Sequence, residues 1–212
     1  MEWTAVLFLG AYHGINPGMG WLFAVALGMQ QGSARGVWRA LPPIALGHLA
    51  AVGAVLLVAG LAQMVVPLPI MKIIVASVLG VFGLYRLWRH SHSQFGGMQV
   101  GFRDLTVWSF LMASAHGAGL MVLPFVMGMS DHALAASGGH SHHIAANAVP
   151  VVWMGALALS LHTLAYLVVL ALVAWIVYRK LGLSLLRKTW LNLDWLWAGA
   201  LVVTAVVVLL VW

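Results

Sequence analysis

Cysteine is missing altogether from this chain, which excludes disulfides, thiolate metal sites and thiol redox chemistry. Any metal chemistry must draw on His, Met, Asn, carboxylate or backbone oxygen. Carboxylates are scarce too: Glu2, Asp104, Asp131 and Asp194 are the four acidic residues in 212, each near an expected helix end or in a loop. They assemble no buried carboxylate pair or Ser–His–Asp set, and no phosphate loop occurs, so the chain does not read as an enzyme. Without an ATPase motif, primary transport would need another chain. Asp104 and Asp194 are expected to cap or anchor helices. With no acidic ligand at the centre, magnesium and calcium are disfavoured. Strand-type alternation is lacking as well, which argues against a membrane barrel. No basic n-region or small-residue cleavage site marks a signal peptide.

What fills the chain instead is apolar. Hydrophobic residues make up 63% of it and charged ones 7%, with a mean hydropathy of +1.02. A soluble domain of this length could not bury so much apolar surface. Runs of roughly 20 apolar residues suit helices that cross a hydrocarbon core. The expected fold is an all-α integral membrane protein with six transmembrane helices, at about residues 4–29, 41–62, 69–88, 105–128, 149–177 and 193–212. Pro42-Pro43 would open the second, because a first helical turn tolerates missing N–H groups. The net charge of +6 is spread over short loops rather than gathered on one face, so nucleic acid is not an expected partner. Arg35 and Arg39, then Arg86, Arg89 and Arg103, then Arg179, Lys180, Arg187 and Lys188 fall in three loops on one side. The positive-inside rule makes that side cytoplasmic and leaves both termini outside, in a multi-pass protein of a bacterial inner membrane. Lys72, near the outer end of the third helix, can snorkel.

Two apolar stretches are unlike ordinary membrane helices. Gly10-Ala11-Tyr12-His13-Gly14-Ile15-Asn16-Pro17-Gly18-Met19-Gly20-Trp21 places an imidazole, an amide, a proline and four glycines where lipid satisfies no freed backbone group. Such backbone must be buried in protein or line a cavity. Phe110-Leu111-Met112-Ala113-Ser114-Ala115-His116-Gly117-Ala118-Gly119-Leu120-Met121 repeats the idea. His13 then corresponds to His116, and His48 of the second helix to His162 of the fifth. The chain divides into two inverted three-helix repeats, 1–89 and 104–212, joined by a cytoplasmic connection at 90–103, with a His-rich external loop at 129–148. Inverted repeats around a central site are a transporter architecture.

From the rise per residue, His13 and His48 are expected roughly 10–12 Å below opposite membrane faces, with His116 and His162 nearer the midplane. Neutral imidazole is a ligand for zinc, nickel and copper ions, and Met19 and Met121 would add thioether sulfur. Asn16-Pro17-Gly18 is expected to unwind or kink the first helix and free carbonyls for a cation. The bland alternatives are helix–helix hydrogen bonds for the histidines, packing for the methionines and close helix contact for Gly14, Gly18, Gly20, Gly117 and Gly119. Outside the membrane, His132, His140, His142 and His143 read as an accessory metal-collecting loop or a polar linker. His90 and His92 form a smaller pair on the cytoplasmic side.

The residues His13-Gly14-Ile15-Asn16-Pro17-Gly18-Met19 resemble the His-Gly-x-x-Pro-Gly-His motif of the nickel/cobalt transporter family called NicO, within the LysE-type transporter superfamily. Gly83-Leu84-Tyr85-Arg86-Leu87-Trp88-Arg89, followed by His90 and His92, is similar to the way that family's third helix runs into a His-bearing segment. Met19 stands where the family has its second His, and Asn16 at a position that is often acidic there. The main His-rich tract follows the fourth helix here rather than the third. The resemblance implies a transporter of two inverted repeats with His13 as a ligand and Pro17 and Gly18 as its structural break.

The expected function is therefore secondary transport of a divalent or soft transition-metal cation, nickel- or cobalt-like, or copper or zinc, coupled to protons. His13, His116, His48, His162, Met19 and Asn16 are the expected ligand set, and the metal ion is substrate, with no further cofactor. The bilayer is the first partner, with a homo-oligomer and a partner membrane subunit both open. Two alternatives stand beside this one: export of a small solute, as in LysE-type relatives, and a membrane subunit that handles metal or haem during assembly.

Overall fold

The first apolar stretch does not run as one helix. In the computed structural model, which describes residues 2–62, 66–88, 101–136, 144–181 and 193–211, α1 (Glu2–Ile15) stops at Asn16, a 3₁₀ turn covers Pro17–Met19, and α2 (Trp21–Gln30) follows. The break expected at Asn16-Pro17-Gly18 is there, and local chemistry explains it. Pro17 has no N–H to extend the α1 ladder. Asn16 caps the turn instead, its Oδ1 accepting from the Gly18 N–H at 2.8 Å. Gly20 then takes φ of +128°, a conformation that side chains resist. The indole Nε1–H of Trp21 reaches back to the Ile15 carbonyl at 2.8 Å.

The second stretch is broken as well, against the expectation of a continuous helix at 105–128. α5 (Phe102–Ala115) and α6 (Ala118–Ala136) meet at His116-Gly117 and are bent by 63°. Gly117, at φ +68°, supplies the left-handed residue that ends α5. Asp104 closes the other end of α5, its carboxylate accepting the Gly101 N–H at 3.1 Å, as expected of a capping residue.

The remaining helices are α3 (Ala34–Ala62), α4 (Leu68–Trp88), α7 (Ile144–Ile176), which continues into a π turn at Val177–Leu181, and α8 (Leu193–Val211). Pro42-Pro43 does not open α3, contrary to expectation. The helix starts eight residues earlier, where the Ser33 hydroxyl accepts from the Arg35 N–H at 3.2 Å. The two prolines leave the carbonyls of Trp38 and Arg39, four residues back, without their helical donors; both residues are exposed, so other donors can reach these carbonyls. The external loop expected at 129–148 is shorter, because 129–136 continue α6 and 144–148 begin α7. Residues 137–143, which include His140, His142 and His143, lie outside the described residues, as do His90 and His92.

The described residues are helical and contain no strand. Among the described residues, two helices, Ala34–Ala62 and Val152–Lys180, are long and apolar enough to cross a membrane, and the bent pair Phe102–Ala115 with Ala118–Gly128 makes a third if it counts as one broken span. Trp3–Ile15, Trp21–Gln30, Pro69–Tyr85 and Leu201–Leu210 are shorter apolar helices; the first two are short because the break divides them. The packing is reciprocal: α1 lies mainly on α7, α5 on α3, and α4 on α8. The distribution of polarity runs opposite to that of a soluble protein. His13, His48 and His162 are fully buried, while Phe8 is 70% exposed, Val81 69% and Leu210 79%. Such apolar surface suits lipid and not water.

Candidate functional site

Glycines on α1 and α3 let backbones touch, and that contact brings the histidines together. A Cβ on Gly10 would collide with the His162 carbonyl, and one on Gly14 would stand 2.5 Å from the Tyr166 carbonyl. On the other side, a Cβ on Gly47 would collide with the Thr106 carbonyl of α5, and the Ser109 hydroxyl of α5 donates to the Ile44 carbonyl of α3 at 2.7 Å.

Three of the expected histidines form a ring cluster. The ring centroids of His13 and His162 are 5.1 Å apart, those of His48 and His162 5.4 Å, and those of His13 and His48 5.7 Å. The separate depths expected for His13 and His48 are thus corrected. Because α3 starts at Ala34 rather than near 41, His48 lies about two helical turns further from its helix start than the sequence suggested.

Backbone carbonyls fix the tautomers. His13 Nδ1–H donates to the Leu9 carbonyl at 2.6 Å, and His162 Nδ1–H to the Val6 carbonyl at 3.2 Å. Each bond makes Nε2 the lone-pair nitrogen, the arrangement by which metal-binding histidines are oriented. His162 Nε2 and both nitrogens of His48 are buried with no hydrogen-bond partner among the described residues. His48 is held by flat contacts instead: it stacks on Tyr166 at 3.9 Å and 13°, and lies 14° from the plane of His162. That parallel placement is not how donors splay around a tetrahedral ion. Among the described residues, no group of three His, Cys, Asp or Glu side chains is already arranged to hold a metal.

The fourth histidine, His116, sits at the break between α5 and α6. Its Nδ1–H donates to the Met112 carbonyl at 2.8 Å, the same four-residue relation as His13 to Leu9. The Cε1 and Nε2 edge lies against Gly18, 3.6 and 3.7 Å from where a Cβ would sit. The two helix breaks therefore face each other. Asn16 is 6% exposed, and its Nδ2 has no hydrogen-bond partner among the described residues. Met19 and Met121 belong to the buried apolar core, which favours packing for both. Several carbonyls at the break already accept protein donors: Ile15 from Trp21, Asn16 from the Met19 N–H at 3.0 Å, Pro17 from the Gly20 N–H at 3.4 Å and Met19 from the Tyr166 hydroxyl at 2.6 Å. His132 lies within α6.

Tyr166 and Thr163 were missed at the level of sequence. Thr163 is buried, with its hydroxyl unpartnered among the described residues. Tyr166 had a signal, since it follows His162 by four residues and so shares its helix face. No family model, curated protein or solved structure matches this chain.

Proposed function

We propose that this chain is a secondary transporter of a transition-metal cation, as the resemblance to NicO suggests, with His13, His48 and His162 as its central ligands. The observation that carries the reading is the tautomer pattern. His162 Nε2 and both nitrogens of His48 are buried without a hydrogen-bond partner among the described residues, and a proton or a borderline metal ion is the species that an imidazole lone pair serves. His48, with neither nitrogen engaged among the described residues, is the ring that turns to complete the set. Protonation of imidazole competes with metal, so exchange against protons is the natural driving mechanism.

The finer architecture belongs to the same proposal: six crossings in a bacterial inner membrane, arranged as inverted repeats, α1–α2 with α3 and α4 against α5–α6 with α7 and α8. The reciprocal packing of α1 on α7 and α5 on α3 supports it. So do the facing breaks and the matched bonds of His13 to Leu9 and His116 to Met112. His116 and Asn16, at the breaks, lie beside the route an ion takes to the centre. Nickel, cobalt, zinc and copper(I) are the substrates to try; metal-dependent quenching of a reporter dye in proteoliposomes, lost in His162→Ala, is the expected result.

A second reading, export of a small polar solute, is favoured by a specific pair of groups. The Asn16 amide nitrogen and the Thr163 hydroxyl are buried donors without partners among the described residues, and they suit an oxygen-bearing solute better than a metal. Flux unaffected by any transition metal would select it.

A further inference from the structure

Tyr166 lies outside the proposed ligand set and touches both of its working parts. Its ring packs flat on His48 at 3.9 Å. Its hydroxyl donates to the Met19 carbonyl at 2.6 Å, where the break interrupts the helical ladder of the first stretch. The residue is fully buried, and its own carbonyl lies against α1 so closely that a Cβ on Gly14 would stand 2.5 Å away. α7 thus has little freedom to slide past α1 at this level.

We propose that Tyr166 is a positioning residue that holds the His48 ring and ties its orientation to the helix break, so that movement of His48 onto an ion is felt at Met19. The ion rests on the metal reading above; the linkage between His48 and the break does not. With no hydrogen bond to either nitrogen among the described residues, His48 takes its orientation from ring contacts, of which the Tyr166 face is the nearest. To aim a nitrogen between His13 and His162, the His48 ring must slide across the Tyr166 ring or carry it along. A buried phenol does not give up its acceptor readily, because the Met19 carbonyl would lose its donor and the phenol would be left with the Ser109 hydroxyl alone. Motion of the pair is therefore passed to the Met19 carbonyl, and through it to the turn of Pro17–Met19.

The experiment is amide hydrogen exchange, read by mass spectrometry over residues 18–24, on the full chain in detergent micelles with nickel(II) as the probe. Tyr166→Phe keeps the ring and removes the bond to Met19; it is expected to speed exchange over this segment about tenfold while leaving nickel affinity within about threefold, since the stack remains. Tyr166→Leu removes the stack as well and is expected to weaken nickel binding by tenfold or more. His48→Ala should speed exchange when Tyr166 is present and add nothing in the Tyr166→Phe background, the signature of one coupled unit. A merely structural tyrosine would give independent, additive effects. Additive effects, or exchange unchanged in Tyr166→Phe, overturn the proposal. If nickel fails to bind the wild-type chain while the His48 and Tyr166 changes remain coupled, the metal reading falls and the linkage stands. Should Tyr166→Leu fail to fold, the Tyr166→Phe and His48→Ala cycle decides alone.

Discussion

Neither ring nitrogen of His48 meets a hydrogen-bond partner among the described residues, although the ring is fully buried. A polar group in that condition lowers stability, and structures keep such groups where function needs them. His48→Leu is therefore expected to raise the unfolding free energy by about 1 kcal/mol while abolishing metal binding. A detergent melt beside a nickel titration checks both halves; a lower melting temperature would point to a structural histidine. His162→Ala should weaken binding by tenfold or more, since Nδ1 is anchored on Val6 and Nε2 is its ligand nitrogen. The intramembrane histidines were legible in the sequence because a titratable ring inside an apolar run is costly. Their relative depths were not. Depth along a helix depends on where the helix starts, and the proline pair made α3 look seven residues shorter at its start than it is.

At the scale of elements, the account rests on two breaks and on the glycine contact between α1 and α7. The first break was readable because Asn16, Pro17 and Gly18 together oppose a continuous helix. The second was not, since His116-Gly117 carries no proline and one glycine within a helix is often tolerated. Asn16→Ala removes the cap on the Gly18 N–H and is expected to cost about 1 kcal/mol, measured as a lower melting temperature. Unchanged stability would mean that the turn is set by Pro17 alone. Gly14→Ala pushes a methyl into the Tyr166 carbonyl and should cost about 1–3 kcal/mol by overpacking. It should also disturb the histidine cluster, because α1 carries His13 and α7 carries His162. A nickel affinity equal to that of the wild-type chain would show that the ring spacing does not depend on this contact.

For the whole molecule, composition decided the class and packing decides the site. The scarcity of charge and the exposed apolar side chains suit lipid, while the polar residues His13, Asn16, His48, Ser109, His116, His162 and Thr163 turn inward. What the sequence could not convey is reciprocity. Residues of the first half are completed by the second, as His13 is by His162 at 5.1 Å between ring centroids, and no local pattern encodes a contact across about 150 residues. At this scale the account predicts acid sensitivity. Protonated imidazole has no lone pair to offer, so metal binding should weaken as pH falls from neutral into the acid range. A titration of nickel affinity over that range checks it, and a flat profile would argue for the solute reading. The most direct test of the central claim is metal flux into proteoliposomes by the wild-type chain beside His13→Ala, His48→Ala, His162→Ala and His116→Ala. The account predicts that one transition metal is carried, that each of the three cluster substitutions stops it in folded protein, and that His116→Ala slows it without abolishing binding. Flux that survives loss of His48 or His162, or no metal carried by the folded wild-type chain, would contradict it.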